Sequence, residues 1–301
     1  MKAVDWLLES DPAIRWQTLR DLLDASTDVV EAERARVAHE GWGAELLGRQ
    51  APDGKFGGDT GNPEWTVLLN LLWLQHMGLD PQSEDGRRAV APVRDGVTWH
   101  WWDNRPFFHG EVEPCINGRV LGLATYYEQD SGDLVPRLLG EQMADGGWNC
   151  EQENGATVGS FHTTINVLEG LLEFERTSGA TTDVTNARLR GQEYLLERRL
   201  LRRLTTGELI DPEFSQLSFP TGYHYDVLRA LDYLRAAAPE PDERMTEALD
   251  IVRSKRRDDG RWNLENPHPD QLDIDMGERE GDASRWITLR AMRVLRWAGA
   301  G

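Results

Sequence analysis

At 301 residues, with 39% hydrophobic and 28% charged, the chain can bury a substantial core and is not disordered. A formal charge of −19, from 52 acidic and 33 basic residues, repels phosphate backbones and anionic lipid, which excludes nucleic acid and membrane surfaces as partners. Two cysteines, Cys115 and Cys150, are too few for a disulfide scaffold. The start, MKAVDWLLESDP, has no leader pattern, and the apolar run at 67–74 is too short to span a bilayer, so no transmembrane segment is expected. The expected compartment is the cytoplasm.

In chain order, two kinds of helix alternate. Polar helices are predicted at 3–9, 31–49, 84–94, 133–144, 187–204 and 243–257. Apolar helices are predicted at 11–24, 62–75, 113–128, 160–175, 221–235 and 282–298. Asp11, Asn62, Ser160, Thr221 and Asp282 are read as their N-caps, and Pro12, Pro63 and Pro114 as first helical residues. The first and last apolar helices share RWQTLR and RWITLR. Strand signals are almost absent.

Between helices a turn recurs. Gln50 to Phe56 and Gln142 to Trp148 read Q-x-x-D-G-x-aromatic, and Arg256 to Trp262 repeats the spacing with Arg in place of Gln. Weaker copies sit at Asp95-Gly96 and Thr206-Gly207. Gly ends each helix in the left-handed conformation, the aromatic folds back, and the Gln binds backbone groups. The five turns lie 42 to 61 residues apart, a period of repeat architectures. Six apolar helices alternating with six polar ones predict an all-α, (α/α)6 toroid, a closed double ring of inner and outer helices forming one domain over 1–301. The matching terminal helices favour closure over an open solenoid.

One position near the start of each inner helix is polar: Arg15, Glu64, Asn117, Thr164, His224 and Arg285. Such a ring either satisfies first-turn N–H groups or lines one end of a cavity, where helix N-termini favour an anionic substrate group. His224, between Tyr223 and Tyr225, is a candidate acid or base or an interhelix hydrogen bonder. Trp65 and Trp286 fall within inner helices, where aromatic faces would stabilise a carbocation. Trp99, Trp101 and Trp102 crowd one loop, as a lid over the cavity or as packing. No nucleophile-elbow, P-loop or dinucleotide motif appears.

The turn Gln142 to Asn149 resembles the QW motif of squalene-hopene and other triterpene cyclases. The alternating helices resemble the α/α toroid of those cyclases and of protein prenyltransferase beta subunits. The resemblance implies an enzyme acting on an apolar or prenyl-type small molecule in a central cavity. Protonating cyclases carry D-x-D-D, from which Asp273-Ile274-Asp275-Met276 departs, and Asp282 stands where a general acid would sit. Prenyltransferases hold zinc by an Asp-x-Cys pair and a His. The corresponding residues are Glu113, Cys115 and His162, with Cys150 as a further ligand. Ordinary squalene cyclisation is not expected, because there is no room for a second helical domain. Two other classes compete: a binding or scaffold toroid without chemistry, and a polysaccharide lyase or hydrolase on the same fold.

Overall fold

The computed structural model describes residues 2–56 and 63–299. The described chain is all-α, with thirteen α-helices and one two-stranded hairpin. The helices are α1 (Ala3–Leu8), α2 (Pro12–Leu23), α3 (Thr27–Arg34), α4 (Gly41–Gly48), α5 (Pro63–Met77), α6 (Glu84–Gly96) and α7 (Pro114–Tyr126). They continue with α8 (Leu134–Gly140), α9 (Phe161–Ser178), α10 (Thr182–Glu197), α11 (Val227–Ala237), α12 (Thr246–Ser254) and α13 (Arg285–Trp297). The antiparallel hairpin pairs β1 (Thr98–Trp99) with β2 (Arg105–Pro106). Among the described residues no helix is long and apolar enough to cross a membrane.

Asp11 and Ser160 cap α2 and α9, each accepting a backbone N–H from the first turn. Asn62 lies outside the described residues. Two predicted caps are corrected. Helix α13 is capped by Ser284, which accepts from the Ile287 amide, and Asp282 lies in the loop before it. Helix α11 is capped by Asp226, which accepts from the Arg229 amide at 2.8 Å and the Ser218 amide at 3.0 Å, so Thr221 and His224 precede the helix. In both loops the residue whose side chain accepts a first-turn amide sets the start.

The polar stretch 31–49 is not one helix. It breaks after a 3-10 turn, at Gly41, whose φ is +62°. The carboxylate of Asp11 accepts from the Trp42 amide at 2.7 Å, and a Cβ at Gly41 would lie 1.9 Å from it. Only Gly admits that contact in that conformation.

The recurring turns share one wiring. Gly54, Gly146 and Gly260 have φ of +86°, +87° and +81°. Asp53, Asp145 and Asp259 each accept the amide two residues on, at 3.1–3.2 Å. Gln50 donates to the Gly54 carbonyl and to Ala89 of α6, and Gln142 to the Gly146 carbonyl and to Ala187 of α10. Arg256, in the Gln position, instead lies over the Trp262 ring at 5.6 Å. The Trp148 and Trp262 indoles each donate over 2.7 Å to the helix just left, at Leu138 and Val252. Asp95-Gly96 is no such turn, because Gly96 ends α6 and leads into β1. Trp262→Phe is expected to cost about 1–3 kcal/mol, by orphaning the buried Val252 carbonyl, and Trp262→Ala about 3–5 kcal/mol. Urea unfolding measures both, and a Trp262→Phe variant as stable as the parent would show that the N–H bond contributes nothing.

The chain divides into two compact units. One comprises Met1–Leu46, His76–Gly78 and Leu196–Gly301, and the other Leu47–Gln75 and Leu79–Leu195. In the first, α13 packs on both α2 and α11. There Asp232 of α11 receives Arg293 of α13 and Arg235, and Arg293 also reaches Gln17 and Asp21 of α2. In the second, α7 and α9 are in close contact: a Cβ at Gly170 would meet the Gly118 carbonyl oxygen at 1.9 Å. Buried Arg119 fixes their register by donating to Asn166 at 2.7 Å.

Candidate functional site

In the first unit, the loop before α13 walls a cavity of about 460 Å³ with Phe219, Leu264, Leu272, Ile274, Met276 and Glu278 among its lining residues. That volume falls in the small-molecule range of roughly 300–1,000 Å³. Glu278 is its distinctive group. One carboxyl oxygen accepts the Arg285 amide at 2.7 Å, the other is buried with no hydrogen-bond partner, and burial pushes the carboxyl up. Burial penalises the anion and outweighs the opposing pull of the Arg285 amide, the Ser284 side chain and the Arg285 charge. Asp273 and Asp275 also line the cavity but are exposed, and Arg279 hydrogen-bonds Asp275 and holds it below the carboxylate range.

The aromatic wall behind Phe219 is continuous. Phe219 stacks on buried Trp286 at 5.2 Å, and Trp286 stacks on Trp42 at 6.5 Å. His224 lies flat against His268 at 3.6 Å and against Tyr223 at 4.0 Å. Burial pulls His268 down, which favours its neutral form beside a second imidazole. Asp282, expected as the acid, is exposed and accepts the Arg279 amide at 2.9 Å. Glu278 stands nearby as the desolvated carboxyl.

Two ring positions in this unit hold its own structure together. Arg15 pairs with Glu33 of α3 at 2.5 Å and donates to the Ser10 carbonyl. Arg285 lies over Trp6 at 4.2 Å and donates to its carbonyl, while Arg261 is also 4.2 Å from the same ring.

The second unit holds a thiol cluster. Ligand atoms of Glu113, Cys115 and Cys150 lie within 4.8 Å of one another. Glu113 directly precedes α7 without a capping hydrogen bond from its side chain, Cys115 is the helix's second residue, and Cys150 opens the 3-10 turn after Trp148. The Cys115–Cys150 hydrogen bond and burial both push Cys115 up, whereas for Cys150 that bond and the Thr163 hydroxyl outweigh burial and pull it down. His162 does not join this group. It is the second residue of α9, and its carbonyl receives the Asn166 amide group at 2.6 Å. The loop after Trp148 delivers Cys150 to the position expected for His162.

Elsewhere in the second unit, Glu64 is only 4% exposed; one oxygen lies 2.8 Å from His100 Nδ1 and the other has no hydrogen-bond partner among the described residues. Asn117 accepts from and donates to the Glu111 backbone, tying down the loop before α7. Thr164 accepts the Trp148 amide at 3.0 Å, and Thr288 accepts that of Trp262 at the same distance. Thr288, not Arg285, is therefore the counterpart of Thr164. Trp65 lies 5.5 Å from the Arg119 guanidinium. The tryptophan loop divides: Trp99 packs on Phe107 in the core, whereas Trp101 is 44% exposed and hydrogen-bonds the buried Glu111 carboxyl. Burial pushes Glu111 up.

Sequence reasoning missed Glu278, His268 and Glu111. Glu278 lies among five acids between 273 and 282, and no spacing marks which becomes buried.

No protein-family model matches the chain, and no curated protein does. Solved structures of the type II terpene cyclase MstE from Scytonema align with it. An aspartate-to-asparagine variant, in complex with the substrate geranylgeranyl dihydroxybenzoate, is 17% identical with a TM-score of 0.48, covering 99% of this chain and 95% of that one. A tyrosine-to-phenylalanine apo variant is 17% identical with a TM-score of 0.44, covering 98% and 94%. An arginine-to-alanine variant, in complex with the same substrate, is 16% identical with a TM-score of 0.44, covering 99% and 95%.

Proposed function

We propose that the chain is a terpenoid cyclase-like enzyme, a single (α/α)6 toroid over 1–301, that protonates an apolar, prenyl-type small molecule from Glu278. The observation that carries this reading is a desolvated carboxyl in the wall of a largely apolar cavity. An alkene is a weak base, so its protonation needs a neutral acid shielded from water. The cation formed needs a π face, and Phe219, backed by Trp286, offers one. The shared wiring of the turns and the packing of α2 on α13 support the ring. His224 is assigned to a polar end of the substrate, because His268 lies between two cavity residues, Pro267 and Pro269.

Zinc belongs to the proposal as a separate centre. Glu113, Cys115 and Cys150 offer one carboxylate and two thiols within reach of one ion, a set that suits a borderline-soft cation. A zinc ion there would supply Lewis acidity.

The test offers linear prenyl alcohols, prenyl diphosphates and prenylated phenols to the enzyme in heavy water. The expected product is an isomer of its substrate carrying one carbon-bound deuterium. Turnover of none of them, or turnover without deuterium, rejects the reading. Metal analysis of the same preparation is expected to find one zinc per chain, and its absence removes the zinc centre alone.

A further inference from the structure

The chain has two cysteines, from different repeats, and the fold brings both to one place. Their sulfurs lie within 4.8 Å of each other, both are half-exposed, and they are not joined by a disulfide. Their surroundings differ. The Thr163 hydroxyl donates to the Cys150 sulfur at 3.4 Å, and the Cys115 thiol donates to the Glu113 carboxylate at 3.5 Å. One sulfur is thus placed as an acceptor, and the other has a base for its proton. A disulfide requires the sulfurs to close to about 2.0 Å. Cys150 lies in a three-residue 3-10 turn, Cys150–Gln152, which is easier to shift than a helix.

We propose that Cys115 and Cys150, when no metal holds them, are a site of oxidative modification, forming a reversible disulfide when hydrogen peroxide reaches them. In the first step the Cys150 sulfur attacks the peroxide oxygen and the O–O bond breaks. The departing hydroxide takes the thiol proton as water, leaving Cys150 as a sulfenic acid. In the second step Cys115 gives its proton to Glu113 and attacks the Cys150 sulfur. The S–S bond forms, the S–O bond breaks, and hydroxide takes the proton from Glu113 as a second water. Two thiols are oxidised and one peroxide is reduced. A small dithiol reverses the step by exchange. The bond fastens the first turn of α7 to the loop that feeds α9, independently of any reaction at Glu278.

The experiment uses the full chain, treated with a chelator so that no metal masks the thiols, then with hydrogen peroxide. Alkylation and peptide mass mapping follow. Both thiols are expected to disappear together, with the loss of two hydrogens and one linked peptide pair, Cys115 to Cys150; dithiothreitol restores both. In Cys115→Ser, Cys150 is expected to stop as a sulfenic acid trapped by dimedone. In Cys150→Ser, Cys115 is expected to react on the order of tenfold more slowly. Independent oxidation of each thiol to sulfinic acid, or links only between molecules, would overturn the proposal. So would equal rates in the two single variants.

Discussion

Asp232→Ala is expected to lower stability by about 3–5 kcal/mol, because it strands buried Arg293 without its main partner. The two side chains are 13% and 11% exposed, so water does little to replace the lost contact. Burial pushes Asp232 up, but Arg293 and Arg235 outweigh it and hold the carboxyl well below its ordinary range. The pH dependence follows. A depressed carboxylate contributes stability that is present above its unfolded pKa, about 3.9, and is lost as pH falls through the folded value. Urea midpoints of the parent and Asp232→Ala should therefore converge below about pH 4. A midpoint difference unchanged down to pH 2 would rule out the ion-pair explanation. Asp232→Leu combined with Arg293→Met should recover only part of the loss, because it removes the stranded Arg293 but leaves Arg235, Arg290 and Asp21 short of a partner.

Glu278→Gln carries the largest expected effect on activity, a loss of roughly a hundred- to ten-thousandfold in kcat/KM. Gln fills the same space and can still accept the Arg285 amide, so the fold is kept and only the transferable proton is removed. The pH profile supplies the second readout. The reaction needs neutral Glu278, whose pKa is raised above 4.5 by burial, so activity should fall as pH rises through the shifted value. The stability contribution runs the same way with pH. A raised pKa means that folding favours the protonated acid, a contribution lost as pH rises through the folded value. Above that pH the native chain buries an anion, and Glu278→Gln should be as stable as the parent or more so. An inactive variant that is also unfolded at neutral pH would remove the catalytic assignment. A fully active one would too.

Where the chain repeats, the sequence was legible. The turns at Gly146 and Gly260 were readable because a left-handed Gly, an Asp two residues before the amide it accepts, and a returning Trp all depend on local spacing. The same holds for α2, α7 and α9, each opened by a residue whose cap or proline role is local. Legibility failed where loops decide. Ser284 rather than Asp282 caps α13 because its amide is tied to the Trp262 carbonyl across the turn, a contact with no periodic signature. That two-residue shift moved Arg285 out of register with Thr164 and hid Thr288. Cys150 and Glu278 escape sequence reading for a related reason: Cys150 depends on Cys115 and Thr163, remote in sequence, and Glu278 on burial.

The clamp of Arg285 against Trp6 links chain regions that are remote in sequence. The amide of Arg285 touches Glu278, whereas its guanidinium is drawn to the face of a ring in α1 and to that residue's carbonyl. A cation left free beside a desolvated carboxyl would pull its proton away. The first turns of the polypeptide thus fix where a cation sits beside an acid encoded far later in the chain, and its pull on Glu278 stays weaker than the push of burial.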